Sequence, residues 1–400
     1  MKSNSANHKP GDIVDVRIEK IVPKGFGIGF LEGLTVFVPL TAAGDRLRAR
    51  IGKIKGNSAF CEVGEILEPG PERQTPPCPY FGACGGCDLQ QINYEAQLAA
   101  KIGIVRDCLE RIGKFDSIGE IPIVASPQPL GYRLRAQWHA DVRTRKLGYF
   151  RRESHDVIDV EHCPIATPEL NGALSELRAN IPWENIWANR IAIDAAHGDG
   201  PEVSIYAEEL VEPTVDLVMK VLEDEYAFSA RTFFQGNRFL VVELVRLAVE
   251  GTEGKHAADL FSGVGLFSLA LARRFEKVSA VEAHGPAVEY AKKNARNAGL
   301  SNIEFVRGAV EHFVRVPPSD PVDLVLLDPP RAGTSKETIQ RVMELKAPVI
   351  SYVSCEPSIL ARDLRWFADG GYEIEKITAV DLFPQTHHVE TVVRLKRSGR

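Results

Sequence analysis

The chain has 400 residues, 44% of them apolar and 26% charged, the balance of a globular protein too long for one ordinary core. A formal net charge of −6 weighs mildly against a nucleic-acid partner, and seven cysteines are too few for a disulfide framework. No stretch approaches the apolar length of a membrane span, and "MKSNSANHKPGD" lacks the apolar centre of a signal peptide. A cytoplasmic monomer with no membrane attachment is the expectation.

Three domains are expected, over residues 1–70, 71–230 and 231–400. The first reads as short strands. In "IVDVRIEKI" apolar and polar residues alternate, with Val14, Val16 and Ile18 on one face. "KGFGIGFLEGLTVFVPL" places Gly25, Gly27 and Gly29 between strands, and Val36 and Val38 in a further strand. "SAFCEVGEILE" closes the set, so about four or five strands predict a small barrel of the oligonucleotide-binding kind. Charge is uneven, because residues 1–60 hold ten Lys and Arg against five Asp and Glu. Arg46, Arg48, Arg50, Lys53 and Lys55 fall in or near one connection, "RLRARIGKIKG". That is either a phosphate-contacting edge or a solvated charged face.

"PGPERQTPPCPYFGACGGCDLQQ" is a Pro- and Gly-rich linker with three cysteines. A helix is expected over 91–114, packing on the last domain, with Leu98, Ile102, Val105, Leu109 and Ile112 on one face. The rest of the central segment reads as mixed α+β, mostly strands with a helix near "PELNGALSELRANI". From about Arg231, strands and helices alternate: "HAADLFSG", "KVSAVEA", "IEFVRG", "VDLVLLDPP", "APVISYVSC" and "EIEKITAVDLF" are strands. The alternation predicts an open, doubly wound α/β sheet.

The chemistry-bearing residues gather at the ends of those strands, where open α/β sheets bind ligands. In "DLFSGVGLFSLALA", Asp259 ends a strand, and Gly263 and Gly265 shape the turn into a helix whose N–H groups face a ligand. Glu282 ends the next strand, placed to bind the two hydroxyls of a ribose. A dinucleotide fingerprint would need glycine at 268, where the chain has Ser268, so S-adenosylmethionine is the better fit. Asp328 follows the strand of "LVLLDPPRAG", a motif like those of amino-methyltransferases of nucleic acids. In "YVSCEPSILARDL", Cys355 stands between a strand and a helix start, where a thiolate has a lowered pKa unless Glu356 opposes it. A buried, inert thiol is the plain alternative. Glu390, in "HHVETVVRL", opens a final strand and is a candidate base, with His387 and His388 as alternatives. Cys78, Cys84 and Cys87, with Cys163 in "VEHCPI", form a set of thiols suited to zinc or an iron–sulfur cluster, with nothing in the spacing to choose between them.

Taken together, "CPYFGACGGC", "FFQGN", "DLFSGVG", "DPPRAG", "SCEP" and "HHVE", in that order, make the chain resemble the RNA uracil-5-methyltransferases. The likeness is to the 23S ribosomal-RNA type with an N-terminal TRAM domain and a four-iron four-sulfur cluster. It implies a Rossmann-like methyltransferase sheet, with Cys355 as nucleophile and Glu390 as base. It also implies donor contacts from Gln235, Phe261, Glu282 and Asp328, in company with Gly263 and Gly265. Phe233 would lie near the flipped uracil, and Cys78, Cys84, Cys87 and Cys163 would hold the cluster. The departures are Glu356, where relatives often have Asn, and Leu266 and Ala309 at secondary donor contacts. Rival readings are the same reaction on transfer RNA, methylation of an exocyclic amine, and a non-catalytic iron–sulfur protein that binds RNA.

Overall fold

A computed structural model of the chain describes residues 8–31, 33–210, 214–316 and 318–399. Residues 1–7, on which the reading of the N-terminus partly rests, lie outside it. By its contacts the chain divides into two units. The first comprises residues up to Asp107 with Phe150–Asp156 and Phe383–His388, and the second comprises Cys108–Tyr149, Val157–Leu382 and Val389 onward.

The first unit is built on strands β1 (Ile13–Arg17), β2 (Lys20–Val22), β3 (Phe26–Leu31), β4 (Leu34–Pro39), β5 (Arg46–Lys55) and β6 (Ser58–Glu68). They form one barrel-like sheet in the order β1-β5-β6-β4-β3-β2, antiparallel except where β4 meets β6. Val14, Val16, Ile18, Val36, Val38, Leu47, Ala49 and Ile51 make its core, as the alternation predicts. Two expectations are corrected. Gly27 and Gly29 lie inside β3 rather than between strands, because a Cβ there would stand 2.1 Å from Thr41 Oγ1 or 2.4 Å from the Arg17 carbonyl oxygen. The basic run is no connection but the ten-residue strand β5, whose alternate residues Leu47, Ala49 and Ile51 are buried. Arg46 pairs with Asp15 and Glu68, and Arg48 with Glu65, so part of the expected phosphate edge is already neutralised. Beyond the barrel, buried Asp45 accepts from the Arg73 guanidinium and the Gly70 N–H, tying the cysteine-bearing loop to the strands. Helix α1 (Tyr94–Arg111) follows. Its buried stripe is Gln97, Lys101, Ile104, Val105, Cys108 and Leu109. That stripe differs from the purely apolar one expected, and Ile112 is exposed and past the helix end.

The second unit holds β7 (Ile123–Val124), β8 (Arg135–Asp141), all but the last residue of β9 (Lys146–Phe150), β10 (Val157–Asp159), helix α2 (Pro168–Asn180), β11 (Arg190–His197) and β12 (Val203–Tyr206). Strands β10-β9-β8-β11-β12 make one antiparallel sheet, with Trp138, Leu170, Leu174 and Ile193 in the core it shares with α2. Thr167 starts α2 by accepting the Leu170 N–H, and Pro168 takes the first helical position. Strands β13 (Leu217–Val221) and β14 (Asp224–Phe228) form a hairpin.

There follow α3 (Val241–Val249), β15 (Gly254–Leu260), α4 (Leu266–Ala272), β16 (Phe275–Glu282), α5 (Gly285–Asn297), β17 (Ile303–Arg307) and α6 (Val310–Phe313). The chain continues through β18 (Leu324–Leu327), α7 (Lys336–Glu344), β19 (Val349–Ser354), α8 (Pro357–Asp369), β20 (Tyr372–Val380) and β21 (Glu390–Arg397). These strands build an eight-stranded sheet in the order β17-β16-β15-β18-β19-β21-β20-β7. Strands β15 to β19 run parallel, while β21 is antiparallel to both of its neighbours. Every residue of β18 is at most 1% exposed. Covering both faces of its four side chains stabilises the sheet by about 2 kcal/mol each.

Candidate active site

Strand direction decides which residues meet. Asp259 near the end of β15, Glu282 at the end of β16, Asp328 just past β18 and Cys355 just past β19 all stand at the C-terminal rim of the parallel strands. Because β21 is antiparallel, its first residue, Glu390, lies at the same rim. Ser354 pairs with Thr391, so Cys355 and Glu390 are neighbours. Val349–Ser354 is held from behind by Tyr352, whose hydroxyl donates to Asp363 of α8 at 2.7 Å. Glu356 accepts from the Ser358 hydroxyl at 2.7 Å. Arg331, just past Asp328 in "DPPRAG", reaches the thiol of Cys355. Sequence reasoning quoted its motif and passed over the arginine itself.

Burial, then the Glu390 carboxyl, push the Cys355 thiol up to about 12, while Arg331 pulls it down. The lowered thiol pKa expected from the helix start is therefore not found in the protein alone. Loss of water and a nearby carboxyl outweigh a helix end. Burial also holds Glu390 well above the usual carboxylate range, with Asp328 adding to the rise and Arg331 opposing it. Asp328 is raised to about 7 by burial and by Asp259. Asp259 is likewise raised to about 7 by burial, although Ser268 donates to it at 2.5 Å. Ser268, standing where a dinucleotide fingerprint has glycine, thus anchors the carboxyl beneath the turn. Carboxyls crowded in low dielectric hold protons that an incoming cation would displace. A sulfonium carries such a charge.

Phe233, Gln235, Phe261, Gly263, Leu266 and Asp328 line a small cavity of about 30 Å³. The Gln235 amide donates to Asp328 at 3.4 Å. Phe261 has φ +68°, a left-handed conformation rare for a bulky side chain and typical of strained functional turns. Glu282 accepts from the Gly263 N–H at 3.0 Å and from the His284 N–H at 2.7 Å, which fixes its carboxylate over the glycine turn. Gly265, φ +89°, sits at the start of α4 against Leu269 and Ala291. It shapes the turn and does not line the cavity. Leu266 does line it, and Ala309 starts α6. Phe233 is 64% exposed, with the Arg135 guanidinium 6.0 Å from its ring centroid. Arg135 also donates to the carbonyls of Ala230 and Thr232, and so props the turn that presents Phe233.

His387 gives Nδ1 to Asp88 at 2.6 Å within the first unit, so it is committed elsewhere as a base. Cys78, Cys84 and Cys87 are half-buried on the loop of the first unit, and the Gly86 N–H points at Cys84 Sγ at 3.4 Å. Cys163 belongs to the second unit, where its N–H donates to Asn171. Among the described residues, no three His, Cys, Asp or Glu side chains are gathered as a metal-holding group. Among them also, no helix is long and apolar enough to cross a membrane.

An eight-stranded sheet with an antiparallel strand beside the one that ends at Cys355, and a glycine turn under a carboxylate, define a Rossmann-like methyltransferase that takes S-adenosylmethionine. The chain belongs to the RNA uracil-5-methyltransferase family. The tRNA (uracil-5-)-methyltransferase family model matches residues 204–317 and 319–398, and the TRAM domain model matches residues 7–63. An uncharacterized RNA methyltransferase of Synechocystis sp. is 31% identical over 96% of this chain and 96% of its own length. One of Halalkalibacterium halodurans is 30% identical over 99% of each. Among solved structures, the tRNA (uracil-54, C5)-methyltransferase of Pyrococcus abyssi in complex with S-adenosyl-L-homocysteine superposes with a TM-score of 0.74. It is 26% identical, over 96% of this chain and all of that one.

Proposed function

We propose that the enzyme methylates C5 of one uridine in 23S ribosomal RNA through a covalent Cys355–C6 adduct. The observation that carries this reading is the Ser354–Thr391 pair across β19 and β21, which sets the next residue of one strand, Cys355, and the preceding residue of the other, Glu390, at one rim with Asp328. Uracil C5 is a poor nucleophile until the Cys355 sulfur bonds to C6 and the ring's electron pair shifts toward C5 and O4. C5 then takes the methyl group, and the sulfonium's bond to that methyl breaks, leaving S-adenosylhomocysteine. Glu390 removes the C5 proton, the C5–C6 double bond re-forms, and the sulfur leaves C6. The target base must leave its stack to reach the rim, and Phe233 offers an exposed ring on which it can lie. Arg331 counters the charge of both catalytic groups.

Cys355→Ala should abolish methylation and leave RNA binding intact, and Glu390→Gln should trap an adduct seen as a shifted band on a denaturing gel. Failure of a 5-fluorouridine RNA to form an adduct with the wild-type enzyme would overturn the scheme. Full activity in Cys355→Ala would point to methylation of an exocyclic amine, and absence of cofactor binding to a non-catalytic protein.

The ribosomal assignment leans on the TRAM barrel combined with the four cysteines. The tRNA reading is favoured by the Pyrococcus abyssi enzyme, which matches over nearly the whole chain. Mass-spectrometric mapping of 5-methyluridine in both RNAs, with and without the gene, separates the two. We also propose that Cys78, Cys84, Cys87 and Cys163 hold a four-iron four-sulfur cluster. The support is thiol donor chemistry on a turn-rich loop and an N–H directed at Cys84 sulfur. Such a cluster would stiffen the loop. Brown protein with iron after anaerobic purification is expected, and colourless protein with stoichiometric zinc would refute it. Domain limits at 70 and 230 are proposed on the same footing, to be tested by limited proteolysis.

A further inference from the structure

We infer that Gln97, Lys101 and the Asp88–His387 pair are positioning residues for Glu390. This rests on the reading of Glu390 as the base that releases the product. The six residues Phe383–His388, which end just before Val389 and Glu390, make their contacts in the first unit. Their polar groups are caught on all sides. The Gln385 carbonyl accepts from the N–H groups of Asp88 and Leu89, each at 3.0 Å. The Gln385 N–H donates to Gln97 Oε1 at 2.9 Å, and Gln97 Nε2 donates to Gln385 Oε1 at 3.0 Å. Lys101 Nζ donates to the Phe383 carbonyl at 2.9 Å. His387 Nδ1 meets Asp88 Oδ2 at 2.6 Å, and Arg152 holds the other Asp88 oxygen at 2.9 Å and the Cys87 carbonyl at 2.7 Å. Gln385 itself sits at φ +70°, a conformation that a non-glycine residue keeps when its surroundings hold it there.

Gln97 and Lys101 are fully buried polar side chains on α1. Filling both helical positions with apolar residues would be the simple way to bury that face. Their hydrogen bonds instead converge on the strap that leads into the base. A carboxylate acts as a base when it stands within hydrogen-bond reach of the proton, and a small displacement is costly in rate. Pinning residues 383–388 fixes where the chain enters β21, and so fixes the first residue of that strand. The cysteine loop ends at Cys87, directly before Asp88, so whatever stiffens that loop also stiffens the strap.

The test uses the full-length enzyme as wild type, Gln97→Ala, His387→Ala and His387→Asn. Asn can donate from Nδ2 where imidazole gave Nδ1–H. On 5-fluorouridine RNA, where fluorine blocks proton removal, the rate of adduct formation reports Cys355 and the donor without Glu390. The inference expects that rate to stay within about two-fold of wild type in all variants, while turnover on ordinary RNA falls about 10- to 100-fold in the two Ala variants. It also expects adduct on ordinary RNA to accumulate in the Ala variants and His387→Asn to restore turnover. Adduct formation and turnover falling together would mean a structural role alone and would overturn the inference. Unchanged turnover in His387→Ala, a half-buried site where folding is least at risk, would overturn it too. A wild-type enzyme that forms no adduct with 5-fluorouridine RNA would instead remove the covalent reading on which the inference stands.

Discussion

Cys355 is flanked by two groups of opposite effect, Glu390 raising its pKa and Arg331 lowering it. With the thiol pushed up to about 12, the thiolate fraction should rise about ten-fold per pH unit across the neutral and mildly alkaline range. Site-resolved mass spectrometry after brief iodoacetamide treatment should show that slope at Cys355, and a plateau near pH 8 would contradict it. Arg331→Leu should slow the reaction of Cys355 further at every pH. Asp328 makes a second prediction. Its carboxyl is raised from 3.8 to about 7 in the fold, so the folded protein keeps a proton that the unfolded chain gives up first. Stability on its account is full below about pH 4 and is lost as pH rises through 7. Asp328→Asn removes that penalty. The variant should match wild type in thermal unfolding at pH 4 and exceed it at pH 8, by at most about 4 kcal/mol, while losing methyl transfer. Equal stability at both pH values would show that Asp328 is not held protonated.

Each candidate site residue is delivered by the end of an element, and that explains how much of its placement could be read beforehand. Buried parallel strands are continuous apolar runs, so "LVLLDPP" and "VISYVSC" announce both the strand and the residue that follows it. The places of Asp328 and Cys355 at strand ends were legible on that basis, and that of Glu390 as the opening of the final strand. Arg331 was not, because an arginine after Pro-Pro carries no periodic signal and its reach depends on the fold. The alternation of "RLRARIGKIK" was present in the sequence, but its dense charge suggested a connection, whereas buried Leu47, Ala49 and Ile51 make it β5. Gln97 and Lys101 were missed for the converse reason, since polar residues do not count toward an apolar stripe. The turn into α4 can be tested alone. Gly265→Ala would place a Cβ 3.2 Å from Leu269 Cδ1 at φ +89°, and should cost about 1–2 kcal/mol in urea unfolding. An unchanged midpoint would mean that the turn relaxes without cost.

As a whole the molecule is acidic at −6, yet it belongs to a family that acts on RNA, so attraction must come from local patches. Exposed Lys53 and Lys55 lie on β5, whereas Arg46 and Arg48 are already paired with carboxylates. Lys53→Ala with Lys55→Ala should weaken RNA binding and lower the salt slope by about 0.7 per lost contact on a single strand. Arg48→Ala should change the slope less, as read from binding isotherms at several salt concentrations. The order of the large sheet has a separate consequence. Strand β21 lies between β19 and β20, both of which precede it in the chain. As the polypeptide leaves the ribosome, those two strands therefore wait with facing edges open until their shared neighbour is made. Chaperone protection should be needed most in that interval, and no nascent chain can turn over RNA before its sheet is sealed.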